Sequence, residues 1–467
     1  MKEREKIEGL TIGCFIIFSG LALFFNLWAK SLENHDYLRY AEVAREMIRS
    51  GEWVVPHLNG EVFVDKPPFL FWLMAIPSSL YGSVTPLIAR WPSAFSAWVG
   101  VIILFLWAKR IYGTIQPGLI AGGILLSSYQ YFFQARIAKT DMLLSLFILL
   151  SLYFFYLGYG ESRRRRFLFY GLSSFSMGLA VLTKGPFGLI PFIIISAFLI
   201  KERGWRILMS EEFILGYVIL ALTALPWIFL FLHRVGLQES IALVKETHIL
   251  TRQAPIYFYF IEIWGQFFPW SLLLPFLFFY LWKQRMKFWH SGESFFFIWF
   301  VVIFILLTLF KYRASRYLLP ALPALALMMG GVWKKKLYYI LIPFFLFVLI
   351  WHGIEINWIR KDKDHAYSPG MVLAGELRPF VKESTLSGYQ LDISTLEEIN
   401  FYLDRVIPTI RKMEDVSGEF GTKEEKCILM PKEIYEKIRI QGHLSMAVVQ
   451  EFQYKKGKLV LVSMREQ

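Results

Sequence analysis

Long apolar runs recur through the first three quarters of the chain, each near the roughly 17 to 25 residues that a helix needs to cross a hydrocarbon core. About eleven can be placed, with room for up to thirteen, the first centred near Ile17 and the last near Phe345. The composition agrees: 56% hydrophobic and 18% aromatic residues against 19% charged is far from a soluble average. The fold class expected is a polytopic α-helical membrane protein. The first run is long and has no convincing small-residue cleavage site after it, so it reads as an anchor rather than a removed leader.

Lys and Arg are retained on the cytoplasmic side of short loops, and every second loop is basic: "MKEREK", Lys109 with Arg110, Arg163 to Arg166, Lys201 to Arg206, Lys283 to Lys287 and Lys334 to Lys336. The net charge of +13 is therefore mostly a topology signal that also attracts anionic membrane lipid. Basic clusters that follow loop alternation rather than one face exclude nucleic acid as the expected partner. After Arg360 the chain turns polar. "STLEEINFYLDR" opens on a Ser394/Glu397 capping box, and "CILM" and "MAVVQEFQYKKGKLVLVSM" read as strands, the latter a hairpin with a Lys-Gly turn. The expected division is a membrane domain over residues 1–355 and a small outer α/β domain over 356–467. Cys14 and Cys427 fall in different parts, so neither an intramolecular disulfide nor a cysteine metal cluster is expected.

The remaining loops lie on the opposite, extracytoplasmic side and hold a different chemistry. In "NHDYLRYAEVAREMIRSGEW", Tyr37, Tyr40, Ala44, Met47 and Ile48 share one helical face and Arg39, Glu42, Glu46 and Arg49 the other, and Gly51 ends the element. This is an amphipathic helix suited to the outer interface. Asp36 at its start is either a helix-start residue favoured by the macrodipole or a chemical group. Farther on, "DKPP" holds Asp65 and Lys66 at a fixed turn beside a span, and "ARIAKTDMLL" puts Arg136, Lys139 and Asp141 at the mouth of another. Ionisable residues gathered at span ends are functional candidates by default.

The blocks "DYLRYAEVAREM", "GEWVVPHLNGEVFVDKPPFLFW", "RWPSA", "RIAKTDM", "LTKGP", "FPWS" and "RYLLPALP" resemble the GT-C glycosyltransferases of the aminoarabinose transferase and protein O-mannosyltransferase group, over about residues 10 to 335. The resemblance implies an enzyme of the plasma (inner) membrane that moves a sugar from a polyprenyl phosphate carrier to a lipid or protein acceptor outside. Asp36 then matches the catalytic carboxylate of the first outer loop, Lys66 the lysine that contacts the carrier phosphate, and Asp141 the acidic residue that begins a later span. Arg39, Tyr40, Arg136, Arg316 and Tyr317 complete the expected substrate-binding set. The group typically has Glu before "KPP" where this chain has Asp65. Should a divalent cation be the cofactor, Asp65 and His248 are its candidate ligands.

The chemistry accords with those residue types. Expulsion of a polyprenyl phosphate from an anomeric carbon builds negative charge, which fixed cations stabilise. The acceptor hydroxyl loses its proton to a carboxylate within reach, Asp36 first, with Asp141 as a second base or an orienting group. Single displacement inverts the anomeric centre and a glycosyl-aspartate retains it. Rival classes are a lipid-linked sugar transporter, disfavoured by the lack of an inverted repeat, and a membrane scaffold, which gives no reason for acids and bases to share one side.

The loop reading is testable. In a Ser162→Cys variant free of the two native cysteines, a membrane-impermeant maleimide should label position 162 only from the cytoplasmic side. Labelling from outside alone would invert the topology.

Overall fold

In the computed structural model, the residues described are 2–29, 31–32, 35–248, 254–284, 294–332, 338–354, 369–383, 385–410, 426–440, 446–455 and 457–464. Helix α1 (Lys2–Phe24) leads to α2 (His35–Ser50), a short hairpin β1 (His57–Leu58) and β2 (Glu61–Val62), and α3 (Phe69–Tyr81). Then come α4 (Pro86–Tyr112), α5 (Ile115–Ser127), α6 (Tyr129–Gln134), α7 (Thr140–Gly158), α8 (Arg163–Lys184), α9 (Ile190–Arg203) and α10 (Glu211–Val235). The bundle continues with α11 (Leu237–His248), α12 (Phe258–Gln266), α13 (Leu274–Lys283), α14 (Ser294–Leu309), α15 (Leu322–Val332) and α16 (Tyr338–Ile354). Among the described residues six helical stretches are long and apolar enough to cross a membrane. The number is seven if Phe258–Gln266 and Trp270–Lys283, bent by 113° at their junction, form one pass. The chain is a polytopic helical membrane protein.

Inside a bilayer the hydrophobic effect does not drive helix association, so close packing of small residues does. A Cβ on Gly178 of α8 would come within 2.5 Å of Thr223 on α10, and one on Gly118 of α5 within 2.7 Å of the Phe105 carbonyl on α4. Outward surfaces remain apolar: Leu222 and Phe229 of α10 are both about two-thirds exposed, as a lipid-facing helix requires.

The amphipathic α2 ends where expected. Gly51 takes a left-handed φ of +69° and its N–H donates to the Met47 carbonyl at 3.1 Å. Its polar face, which a free interfacial helix would give to water or headgroups, is buried, with Glu42 at 0% and Glu46 at 8% exposure. Two elements cover it. The Glu46 carboxylate accepts from the amides of Asn59 (2.5 Å) and Gly60 (3.1 Å) in the turn between β1 and β2. Both turn residues have positive φ, +55° and +80°, the Asn-Gly geometry that twists with its strands. The second covering element is a helix of the C-terminal part.

That part consists of α17 (Pro369–Glu383), β3 (Thr385–Tyr389), α18 (Ile393–Leu403), β4 (Thr409–Ile410), β5 (Lys426–Pro431), α19 (Lys432–Ile440), β6 (Met446–Tyr454) and β7 (Gly457–Met464). The five strands form one sheet in the order β4-β3-β5-β7-β6, parallel at β4-β3-β5 and antiparallel at β5-β7-β6. Alternate residues face opposite sides. Leu386, Leu429 and Leu461 pack with Leu377 and Ile399 of α17 and α18, whereas Ile428, Val460 and Val462 pack with Ile438 of α19.

Helix α18 lies along α2. Arg45 Nη1 donates to the Phe401 carbonyl and to Asp404 Oδ1, each at 3.0 Å, and Asn400 Nδ2 donates to Asn59 Oδ1 at 2.8 Å. The Tyr402 hydroxyl bonds the backbone of Leu32. The capping-box expectation for α18 fails. The helix begins one residue before Ser394, and its N-cap is Asp392, whose Oδ1 accepts from the Thr395 amide at 2.9 Å. A carboxylate at the N-cap leaves no role there for Glu397, which is buried against α2 instead.

Because the cap is one carboxylate, Asp392→Ala should remove about 1 kcal/mol of local helix stability. Hydrogen exchange at the Thr395 amide should accelerate in that variant and stay at the parental rate in Ser394→Ala. The opposite pattern would restore Ser394 as the cap.

Candidate functional site

Two charged clusters meet at the ends of the spans, and backbone constraints build both. The first is made by the loop from α2 to α3. Trp72 of α3 donates its indole N–H to the Trp53 carbonyl at 2.8 Å and Trp227 of α10 donates to the Val54 carbonyl at 2.8 Å, so the start of the loop is tied to the bundle. Pro67 and Pro68 then set the turn into α3, which leaves Asp65 and Lys66 at its lip. Lys66 Nζ donates to the Asp65 carbonyl at 2.8 Å and lies 3.8 Å from its carboxylate. Arg39, one turn into α2, reaches Asp65 at 3.7 Å and Glu397 of α18 at 3.8 Å, with its guanidinium 5.1 Å from the Phe63 ring centre.

The second cluster joins three elements. Asp141 stands in the first turn of α7, where the helix dipole favours an anion. Lys184 is the last residue of α8 and meets Asp141 Oδ1 at 2.5 Å, while Arg316 Nε, on the turn Ser315–Ala321, lies 3.5 Å from Oδ2. The segment "KGPFGL" explains how Lys184 is aimed. Gly185, with φ +61°, donates to the Val181 carbonyl, and a Cβ on Gly188 would sit 2.2 Å from the Val181 nitrogen, so only glycines allow the chain to fold back on α8. Lys184 Nζ also sits 4.4 Å from the Tyr317 ring centre, and Phe187 and Tyr317 wall this cavity.

The clusters share one electrostatic field. Burial pulls the Lys66 ammonium below the ordinary lysine range, and the nearby charge of Lys184 pulls it further, against the opposing pull of Asp65 and Asp141. A cation held partly desolvated in this way gains strongly from an arriving anion. Beside the second cluster opens a cleft of about 430 Å³ whose walls include Tyr37, Gln130, Gln134, Lys139, Arg313 and Arg316. Tyr37 also lies under Lys139 Nζ, 5.4 Å from its ring centre. Aromatic faces, amides and cations together suit a polyhydroxylated, negatively charged ligand.

Of the residues expected from sequence, the structure therefore brings together Arg39, Asp65 and Lys66, and separately Asp141, Arg316 and Tyr317. Asp36 occupies the first turn of α2, beside Tyr37; its side chain, like that of His248 in α11, lies outside the described residues. Arg136 is not brought in. Its guanidinium donates to the carbonyls of Leu23 (3.2 Å) and Phe25 (2.7 Å) and closes the end of α1. Tyr40 is buried against Phe63 and Phe71. Sequence reading missed Lys184, although "LTKGP" carried a signal in a lysine at a span end followed by Gly-Pro, and it missed Glu397. Among the described residues no three His, Cys, Asp or Glu side chains converge as metal ligands. Asp65 is flanked by two cations, a setting that suits an ion pair better than a metal.

Comparison with known proteins adds three findings. Residues 65–229 match the family described as dolichyl-phosphate-mannose-protein mannosyltransferase. An uncharacterized protein of Aquifex aeolicus is 31% identical over 65% of this chain and 60% of its own length. An undecaprenyl phosphate-alpha-4-amino-4-deoxy-L-arabinose arabinosyl transferase of Proteus mirabilis is 28% identical over 70% of this chain and 59% of its own. The chain thus spans about 60% of the length of these curated relatives. Among solved structures, ArnT from Cupriavidus metallidurans bound to undecaprenyl phosphate superposes with a TM-score of 0.78 over 98% of this chain and 99% of that one, at 20% identity. The archaeal oligosaccharyltransferase AglB from Archaeoglobus fulgidus superposes with a TM-score of 0.57 at 13% identity, over 91% of this chain and 70% of that one. The motif resemblance holds in both respects: the chain shares the fold of ArnT, and in sequence it is related to the GT-C aminoarabinose transferase and protein O-mannosyltransferase group.

Proposed function

We propose that the protein is an integral-membrane glycosyltransferase that moves a sugar from a polyprenyl phosphate carrier to an acceptor hydroxyl on the extracytoplasmic face of the plasma (inner) membrane. The observation that carries this reading is Lys66: a half-buried cation at a span end, sharing Asp65 with Arg39 and within the field of Lys184 and Asp141. Such a site binds the carrier phosphate and tightens on it as the anomeric bond breaks, when charge on the leaving oxygen grows. The relatives named for an undecaprenyl phosphate-linked aminoarabinose support a donor of that class.

The proton of the attacking hydroxyl needs an acceptor. Asp141 is poorly suited, because Lys184 and Arg316 hold its charge from two sides and a proton would have to displace that pairing. Its role in this reading is to fix those two cations. Asp36 is left as the general base of a single, inverting displacement. A lipid acceptor such as lipid A, entering from the outer leaflet, is compatible with the short outer loops and is the favoured reading. The mannosyltransferase family match supports a protein acceptor as the second reading.

In the proposed architecture, four apolar helices of 10–17 residues add to the six or seven long stretches, in line with about eleven passes. Residues 1–355 form the membrane domain and residues 356–467 an outer α/β domain. Alternation of the basic loops supports that orientation.

The test is transfer from a radiolabelled polyprenyl-phosphate sugar by the purified full chain, with label followed into lipid and protein fractions. Lys66→Ala should lower turnover by about 100-fold, equivalent to about 2.7 kcal/mol of barrier. With a depressed lysine pKa in the free enzyme, kcat/KM should fall on the alkaline side below the ~10.4 of a solvated lysine, as Lys66 loses its proton. Lys66→Arg should be slower at neutral pH and lack that limb. Label that moves to nothing, or a Lys66→Ala enzyme at parental rate, would refute the reading.

A further inference from the structure

The C-terminal part contributes a buried acid at its junction with α2. Glu397 is 1% exposed on the second turn of α18, where Asp392 already caps the helix. An ionised carboxylate withdrawn from water persists only where cations or hydrogen-bond donors meet it. Across the junction Arg39 faces it, 3.8 Å away. The helix that carries Glu397 is fixed in register by Asn400 on Asn59 and by Arg45 on Phe401 and Asp404, so the carboxylate arrives at Arg39 at a set height.

We propose that Glu397 is a positioning residue of the reaction centre, and that the C-terminal domain thereby completes the phosphate site; this rests on Arg39 acting there as a phosphate donor. An arginine side chain has four rotatable bonds, and a guanidinium aimed by chance seldom presents its planar fork to a phosphate. Here three groups bound it: the Phe63 ring on its face, Asp65 nearest Nη2, and Glu397 nearest Nε. Two of these come from the membrane part and one from the domain above it. The fork is set before the ligand arrives, so less freedom is lost on binding. Glu397 itself touches neither sugar nor phosphate in this arrangement and acts through Arg39.

A double-mutant cycle on the full chain, with undecaprenyl phosphate as the probe, distinguishes this from a structural role. Affinity is read by native mass spectrometry in detergent, alongside kcat and KM for the donor. Glu397→Gln keeps size and burial and should weaken the probe about tenfold, within the range of couplings between contacting charged groups. Arg39→Ala should weaken it at least as much, and the double variant should be no worse than Arg39→Ala alone. Asp404→Asn, which loosens the Arg45 and Arg49 pairings of the same interface without reaching Arg39, should leave affinity within twofold of the parent. Unchanged or tighter binding in Glu397→Gln, with Arg39→Ala weakened, overturns the positioning role and leaves the phosphate site standing. Additive losses, or an equal loss in Asp404→Asn, also overturn it, because Glu397 would then act through something other than Arg39. Unchanged binding in Arg39→Ala defeats the site reading itself.

Discussion

A charge inside an apolar bundle persists only where an opposite charge or a hydrogen-bond donor meets it, and Asp141 is the point on which one end of the bundle converges. Its carboxylate draws in Lys184 from the end of α8 and Arg316 from the turn before α15, so three segments far apart in the chain converge on one oxygen pair. Removing one partner of such a pair leaves a buried, uncompensated charge, a cost of about 3–5 kcal/mol in other buried pairs. The glycines behind Lys184 and the helix start beneath Asp141 make sense as devices that hold this convergence. Lys184, held this way, lies close enough to Lys66 for its charge to act there.

The same logic joins the two parts of the protein. A polar helix face laid on a membrane surface would need only water, yet the acids and arginines of α2 find fixed partners in the β1–β2 turn and in α18. Glu42, fully buried beside Arg45, shows the tension. Burial pushes its carboxyl up to about 7, and the adjacent arginine opposes that rise. Helix α2 is in this sense an internal element, with the bundle on one side and α18 of the C-terminal part on the other.

Much of this was legible in the sequence wherever the controlling interaction is local. The period of α2 with its stop at Gly51 and the strands around "KKGK" depend on neighbours within a few residues, and each took the expected form. The Asp65-Lys66 turn was legible because two prolines fix it. Partners distant in sequence were not. Ser394 and Glu397 have the spacing of a capping box, but a box is defined by where the helix starts, and Asp392 moved that start upstream. Arg136 stands beside Asp141 in the chain, yet the open carbonyls at the end of α1 claimed it. Lys184 went unread because nothing local shows that Asp141, 43 residues earlier, would be waiting for it.

The account divides the labour of transfer: cations around Lys66 and Arg39 hold the carrier phosphate, Asp141 fixes its own two cations, and Asp36 receives the acceptor's proton. The most direct test is Asp36→Asn, because asparagine starts a helix about as well as aspartate and keeps the size of the side chain. Transfer should fall by roughly 100-fold or more, while undecaprenyl phosphate affinity and thermal stability in detergent stay at parental values. Turnover at the parental rate would make Asp36 a helix-start residue and contradict the division of roles proposed here.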